Sequence, residues 1–96
     1  MDFSFLGMMF NYDERLVENT RINGYEIDTV EVNDRSWQYE TAIKHKDIND
    51  GKWVVVQGYS SKEEAEKGHE KWVIKCRKNI NTLFDIEENE KYEKED

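Results

Sequence analysis

Apolar and polar positions alternate along much of the chain, and where the period changes the element changes with it. Phe3 and Phe5 alternate with polar neighbours like a short strand that Gly7 interrupts, and Met8, Met9 and Phe10 follow as an adaptable apolar group expected to close one end of the core. After a turn at residues 11–14, residues 15–22 and 25–32 read as two strands around Asn23-Gly24. A type I′ turn needs positive φ at both central positions, so Asn-Gly between extended runs predicts a hairpin. In the returning strand the alternation Tyr25, Ile27 gives way to Val30, Val32, which predicts a bulge or bend near Asp28-Thr29. Beyond the turn residues 33–36, Trp37, Tyr39, Thr41, Ile43 and His45 alternate with polar or small residues, as in a half-buried antiparallel strand.

Asp50-Gly51 marks another turn and delivers residues 53–59. Three consecutive valines there put apolar side chains on both faces, the mark of a central strand or of one covered by the helix on one side and by the N-terminal segment on the other. The period then switches to helical: Ala65, His69, Trp72, Val73 and Cys76 form one stripe. Ser60 with Glu63, or Ser61 with Glu64, stands at capping-box spacing ahead of it. Gly68 interrupts the helix at a cost of about 1 kcal/mol against alanine, so it predicts close approach to a strand. The fold class that results is α+β: a small antiparallel sheet of about four strands with one long C-terminal helix packed on one face. Residues 1–86 are expected to form this single domain, and residues 87–96, nearly all charged, a flexible acidic tail.

Composition sharpens this picture where charge is concerned. Of 96 residues 38% are charged, and the net charge is −8. Residues 13–40 carry eight acids and three bases, residues 41–84 six acids and nine bases, and residues 85–96 seven acids and two lysines. An acidic first half and end lack the continuous basic face that binding a phosphate backbone requires, and they suit a basic protein partner instead. The lone Cys76 permits no internal disulfide, and no apolar run approaches the roughly 20 residues that span a bilayer. Neither direct nucleic-acid binding nor membrane insertion is expected.

Candidate chemistry is sparse. His69 and Cys76 lie two helical turns apart, about 10.5 Å, too far to share a zinc ion whose ligands sit near 2.0 to 2.3 Å. His69 reads as a core-edge histidine bonded to a backbone carbonyl, and nothing places His45 beside Cys76 as base and nucleophile. No catalytic residue, metal or cofactor is expected. The acids of the first half lie among aromatic residues that favour protein interfaces, which selects Glu26, Asp28, Glu31, Asp34, Trp37, Tyr39 and Glu40 as the candidate partner-binding residues. A homo-oligomer is compatible with the same surface.

One resemblance adds an origin. Residues 39–43, residues 49–56, Tyr59, residues 62–65, Gly68-His69 and Lys71-Trp72-Val73, with residues 8–15 at the start, resemble a family of small uncharacterised proteins of tailed bacteriophages, over about residues 5–73. The family carries no activity or site residues across. The resemblance implies synthesis in the cytoplasm of an infected bacterial host. There the chain would act as a stoichiometric inhibitor of a host or anti-phage defence protein, such as one with a basic groove in which the acidic surface stands in for nucleic acid. The alternative is a virion or assembly accessory protein.

Overall fold

The computed structural model describes residues 12–33 and 36–95. The expected strand around Phe3 and Phe5, the apolar group Met8 to Phe10, and Asp34 lie outside the described residues. After a helical turn at residues 12–15, strands β1 (Leu16–Ile22), β2 (Tyr25–Glu31), β3 (Tyr39–His45) and β4 (Val54–Tyr59) form an antiparallel sheet in chain order. Helix α1 (Lys62–Arg77) packs on one face, and β5 (Thr82–Asp85) pairs with β6 (Glu90–Glu93) as a separate hairpin. The fold is α+β, as the hydrophobic pattern predicts.

Asn23 and Gly24 turn the first hairpin with φ of 52° and 83°, as their sequence requires. The anticipated change of side in β2 does not occur. Tyr25, Ile27 and Thr29 are all buried toward the helix, and Thr29 takes the inward place that the apolar pattern assigned to Val30. A register shift does lie beside it, on β1 between Leu16 and Glu18, opposite Val30 and Thr29. A second shift, between Thr41 and Ala42, leaves Val56 bulged out of the β4 pairing.

The three-valine strand is an edge strand, not a central one, since the order places β2 and β3 in the middle. Val54 and Val56 are buried in the core while Val55 is half-buried. The outward backbone groups of Val55 are covered by the hairpin: its N–H donates to the Asp85 carboxylate at 3.2 Å, and its carbonyl accepts from the Ile86 N–H at 2.9 Å. Asp85 is buried and also accepts from the Glu87 and Glu88 N–H groups at 2.9 and 2.8 Å, so it both closes the β5–β6 turn and ties it to the sheet.

That hairpin corrects the expectation of a flexible tail. Four residue pairs join β5 to β6, Tyr92 packs against the core, and the Lys94 and Glu95 N–H groups reach the carbonyls of Asn81 and Asp47 at 2.7 and 2.8 Å. High charge did not prevent ordering because the charged side chains of β6 point to solvent, while its backbone pairs and one tyrosine reaches inward.

At the start of α1, Ser61 is the N-cap and accepts from the Glu64 N–H at 3.2 Å. Glu64 reaches back one residue further than a capping box requires, to the N–H and hydroxyl of Ser60. At the other end the Asn23 amide, from the first hairpin, donates to the carbonyls of Cys76 and Arg77 at 3.4 and 3.0 Å. One turn residue thus sets a strand register and caps a helix. In between, Gly68 lies against Tyr59; a Cβ on it would stand 2.2 Å from the ring. The core beneath comprises Tyr25, Ile27, Ile43, Ile48, Val54, Val56, Cys76 and Leu83.

Candidate interaction site

Opposed residues of an antiparallel pair share a face, and that face alternates along each strand. Ile27, Thr29, Thr41 and Ile43 are the buried, helix-side residues of β2 and β3. Glu26, Asp28, Glu40, Ala42 and Lys44 therefore belong to the other, outer face, together with Asn19 and Arg21 across from Asp28 and Glu26.

On that face two of the candidate partner-binding acids are brought together. The Asn19 amide donates to Asp28 at 2.8 Å and to Glu26 at 3.1 Å, and the Tyr12 hydroxyl donates to Asp28. Burial and then the Asp28 hydrogen bond push the Tyr12 phenol well above its ordinary pKa, so it is a protonated donor at neutral pH. Arg21 approaches Glu26 at 3.7 Å but is itself largely exposed, a geometry worth well under about 1 kcal/mol. The carboxylates are thus fixed by neutral donors, and among the described residues the cations beside them on this face are Arg21 and Lys44, which lies in register opposite Glu26.

Glu40 and Trp37 form a second pair further along the face. The indole N–H donates to Glu40 at 3.1 Å, and the ring covers Gly58, where a Cβ would stand 2.4 Å from it. Glu40 is only 8% exposed, so its carboxylate is not a surface charge open to a partner. Glu31 and Tyr39, paired with each other in register, have the helix-side parity and do not join Glu26 and Asp28. Tyr25, an aromatic residue of the same acidic segment, is a core residue whose hydroxyl donates to the Ile80 carbonyl.

The helix side holds a buried polar chain that sequence reasoning missed. His69 Nδ1 lies 2.7 Å from Thr29 Oγ1, which lies 2.6 Å from Thr41 Oγ1, itself 2.9 Å from the Tyr59 hydroxyl. On the other side His69 Nε2 meets Thr20 Oγ1 at 2.9 Å. Its partners are hydroxyls rather than the expected backbone carbonyl. The available signal was two threonines at inward-facing strand positions, Thr29 and Thr41, that would need a polar partner from the helix. Burial lowers the His69 pKa, opposed by Glu18, Asp28 and Glu70. The neutral ring and the hydroxyls satisfy one another, and Thr29 and Thr41 are fully buried, while Thr20 is half-buried.

Cys76 is also fully buried, and desolvation raises its thiol to about 11, which keeps it protonated and unreactive at neutral pH. His45 accepts from the Asp47 N–H at 3.1 Å and packs on Tyr25 with ring centroids 4.5 Å apart. No hydrogen bond joins Cys76 to either histidine among the described residues, and no group of three or more His, Cys, Asp or Glu there could hold a metal ion. No described helix is long and apolar enough to cross a membrane. Comparison with protein-family models, with curated proteins and with solved structures finds no match.

Proposed function

We propose that this chain is a non-enzymatic, phage-encoded binding protein that inhibits a host or anti-phage defence protein by occupying a basic surface in the host cytoplasm. The observation that supports this reading is the pair Glu26 and Asp28, held on the outer face by Asn19 and Tyr12. Carboxylates already fixed in place lose less side-chain entropy when a basic partner arrives, so more of the interaction energy is realised as affinity. The phage origin rests on the resemblance over residues 5–73.

Affinity capture from a bacterial host lysate tests the proposal, with the wild-type chain and Glu26→Gln/Asp28→Asn compared at about 0.1 M and 1 M salt, where the screening length falls from roughly 10 to 3 Å. The expected result is one partner whose binding weakens about tenfold in the variant and is lost at high salt, while the variant's thermal midpoint stays within a few degrees. Equal capture by the variant refutes the surface, and the chain's presence at fixed copy number in purified phage particles would favour the virion reading.

A further inference from the structure

The edge of the sheet opposite the β5–β6 hairpin is built differently. β1 has one neighbour, β2, and among the described residues no backbone hydrogen bond reaches its other edge. Alongside that edge runs a cleft of about 300 Å³ between β1 and α1. Glu18 and Thr20 line it from the strand, and Glu70, Val73, Ile74 and Arg77 from the helix. Those four positions follow the i, i+3, i+4, i+7 spacing of a single helical stripe. Ile74 is 48% exposed there, a large apolar side chain left open to solvent.

The cleft has a direction and a charge order. Thr20 and Glu18 approach His69 Nε2 at 2.9 and 3.8 Å, so the first half of β1 lies beside the turn that carries Glu70. Asn23, just past β1, holds the carbonyls of Cys76 and Arg77, which puts the end of β1 beside Arg77. One end of the cleft is therefore acidic, its middle apolar and its other end basic. Neither Glu70 nor Arg77 has an ion-pair partner among the described residues, and Glu18 faces only a histidine kept neutral by burial.

We propose that this cleft binds an extended peptide segment of a partner protein, added to β1 as an antiparallel fifth strand. An open strand edge supplies main-chain donors and acceptors, and the adjoining helix supplies the pockets that choose side chains. Side chains of an extended peptide that face the same way recur every second residue, so three of them span about 13 Å. Glu70 to Arg77 spans about 10.5 Å along the helix. Running antiparallel to β1, the peptide would present an acid to Arg77, an apolar residue to Val73 and Ile74, and a base to Glu18 and Glu70. This surface lies on the helix side and first edge of the sheet and does not depend on the outer-face pair Glu26 and Asp28.

The probe is a synthetic seven-residue peptide with aspartate, valine and arginine at its second, fourth and sixth positions and threonine elsewhere. It is titrated into the ¹⁵N,¹³C-labelled full chain and followed by amide and methyl shifts. Saturable shifts confined to β1, Val73 and Ile74 are expected. Two N-methylated versions of the peptide, blocking alternate amides, should differ: one loses about tenfold in affinity, the other binds as before, because only one set of amides faces the strand. A peptide with aspartate and arginine exchanged should bind at least about fivefold more weakly, and the Glu70→Lys/Arg77→Glu variant should reverse that preference. These substitutions are on exposed side chains, and leave the wild-type comparison of the two N-methylated peptides as an independent readout if the variant is unstable. Absence of shifts at about 1 mM peptide, equal binding by both N-methylated versions, or shifts centred on Trp37 would each overturn the proposal. So would a concentration-dependent dimer that protects β1 without peptide, which would assign the edge to a second copy of this chain.

Discussion

Gly68 and Tyr59 carry the closest approach between helix and sheet, and they do so because one of them has no side chain. A methyl group at Gly68 would overlap the Tyr59 ring, and ring atoms held at both ends by packing and by the Thr41 hydrogen bond have little room to withdraw. Alanine is intrinsically the better helix former by about 1 kcal/mol. Overpacking opposes this at about 1 to 3 kcal/mol, so Gly68→Ala should lower the urea unfolding free energy by up to about 2 kcal/mol net. A gain in stability would mean that the helix can ride up on the sheet without cost. Helical spacing alone identified the need for a small residue here, but not the partner. A sequence read in strands and turns does not say which strand lies under a given helical turn, and for that reason the Thr29, Thr41 and His69 chain was also illegible.

Among the elements, the β5–β6 hairpin departs furthest from expectation. Residues 87–95 are nearly all polar, and a segment that buries so little apolar area has no signature in a hydropathy pattern. What orders it is backbone pairing with β5, the Asp85 carboxylate in the turn and the single inward residue Tyr92. Removal of residues 87–96 deletes the β5–β6 ladder, the Glu87 and Glu88 bonds to Asp85, the backbone bonds of Lys94 and Glu95 and the Tyr92 contact. At about 0.5 to 1.5 kcal/mol net for each hydrogen bond, the Lys94 and Glu95 bonds alone set a lower bound of about 1 to 3 kcal/mol on the loss in a denaturant titration. In the full chain the Lys94 and Glu95 amides should exchange with solvent more slowly than that of Lys91. An unaltered midpoint would mean that the hairpin is dispensable. The strands and the helix themselves were legible because each has a strong period. The three valines misled because an edge strand shielded by a hairpin and broken by a bulge is apolar on both sides for the same reason as a central one. The acidic surface split for a simpler reason: Glu31 and Tyr39 share one face, Glu26 and Asp28 the other, and adjacency in sequence does not reveal the parity.

At the scale of the whole molecule, pH acts through two buried bases. Desolvation lowers the pKa of both His45 and His69 from 6.5. The unfolded chain therefore binds more protons than the folded one once pH falls below about 6.5, and stability, complete above that pH, is lost as pH falls through the folded values. Urea midpoints measured from pH 7.5 to 5 should decline, with a slope of up to about 1.4 kcal/mol per pH unit for each histidine differentially protonated. A flat profile would show that both rings titrate as they do in the unfolded chain. Over the same range the net charge shrinks toward zero near the isoelectric point of 4.8, so solubility should fall together with stability.

Asp85 has a consequence for assembly. By occupying the Val55 N–H it blunts the β4 edge of the four-stranded sheet at that residue, whereas the β1 edge of the same sheet receives no backbone hydrogen bond from the described residues. A slab with two open rims can stack without limit into a fibre, whereas one with a single open rim is consumed by its first pairing. A pairing that uses the β1 edge of every molecule in it stops at two: one molecule with one guest strand, or two copies across a two-fold axis.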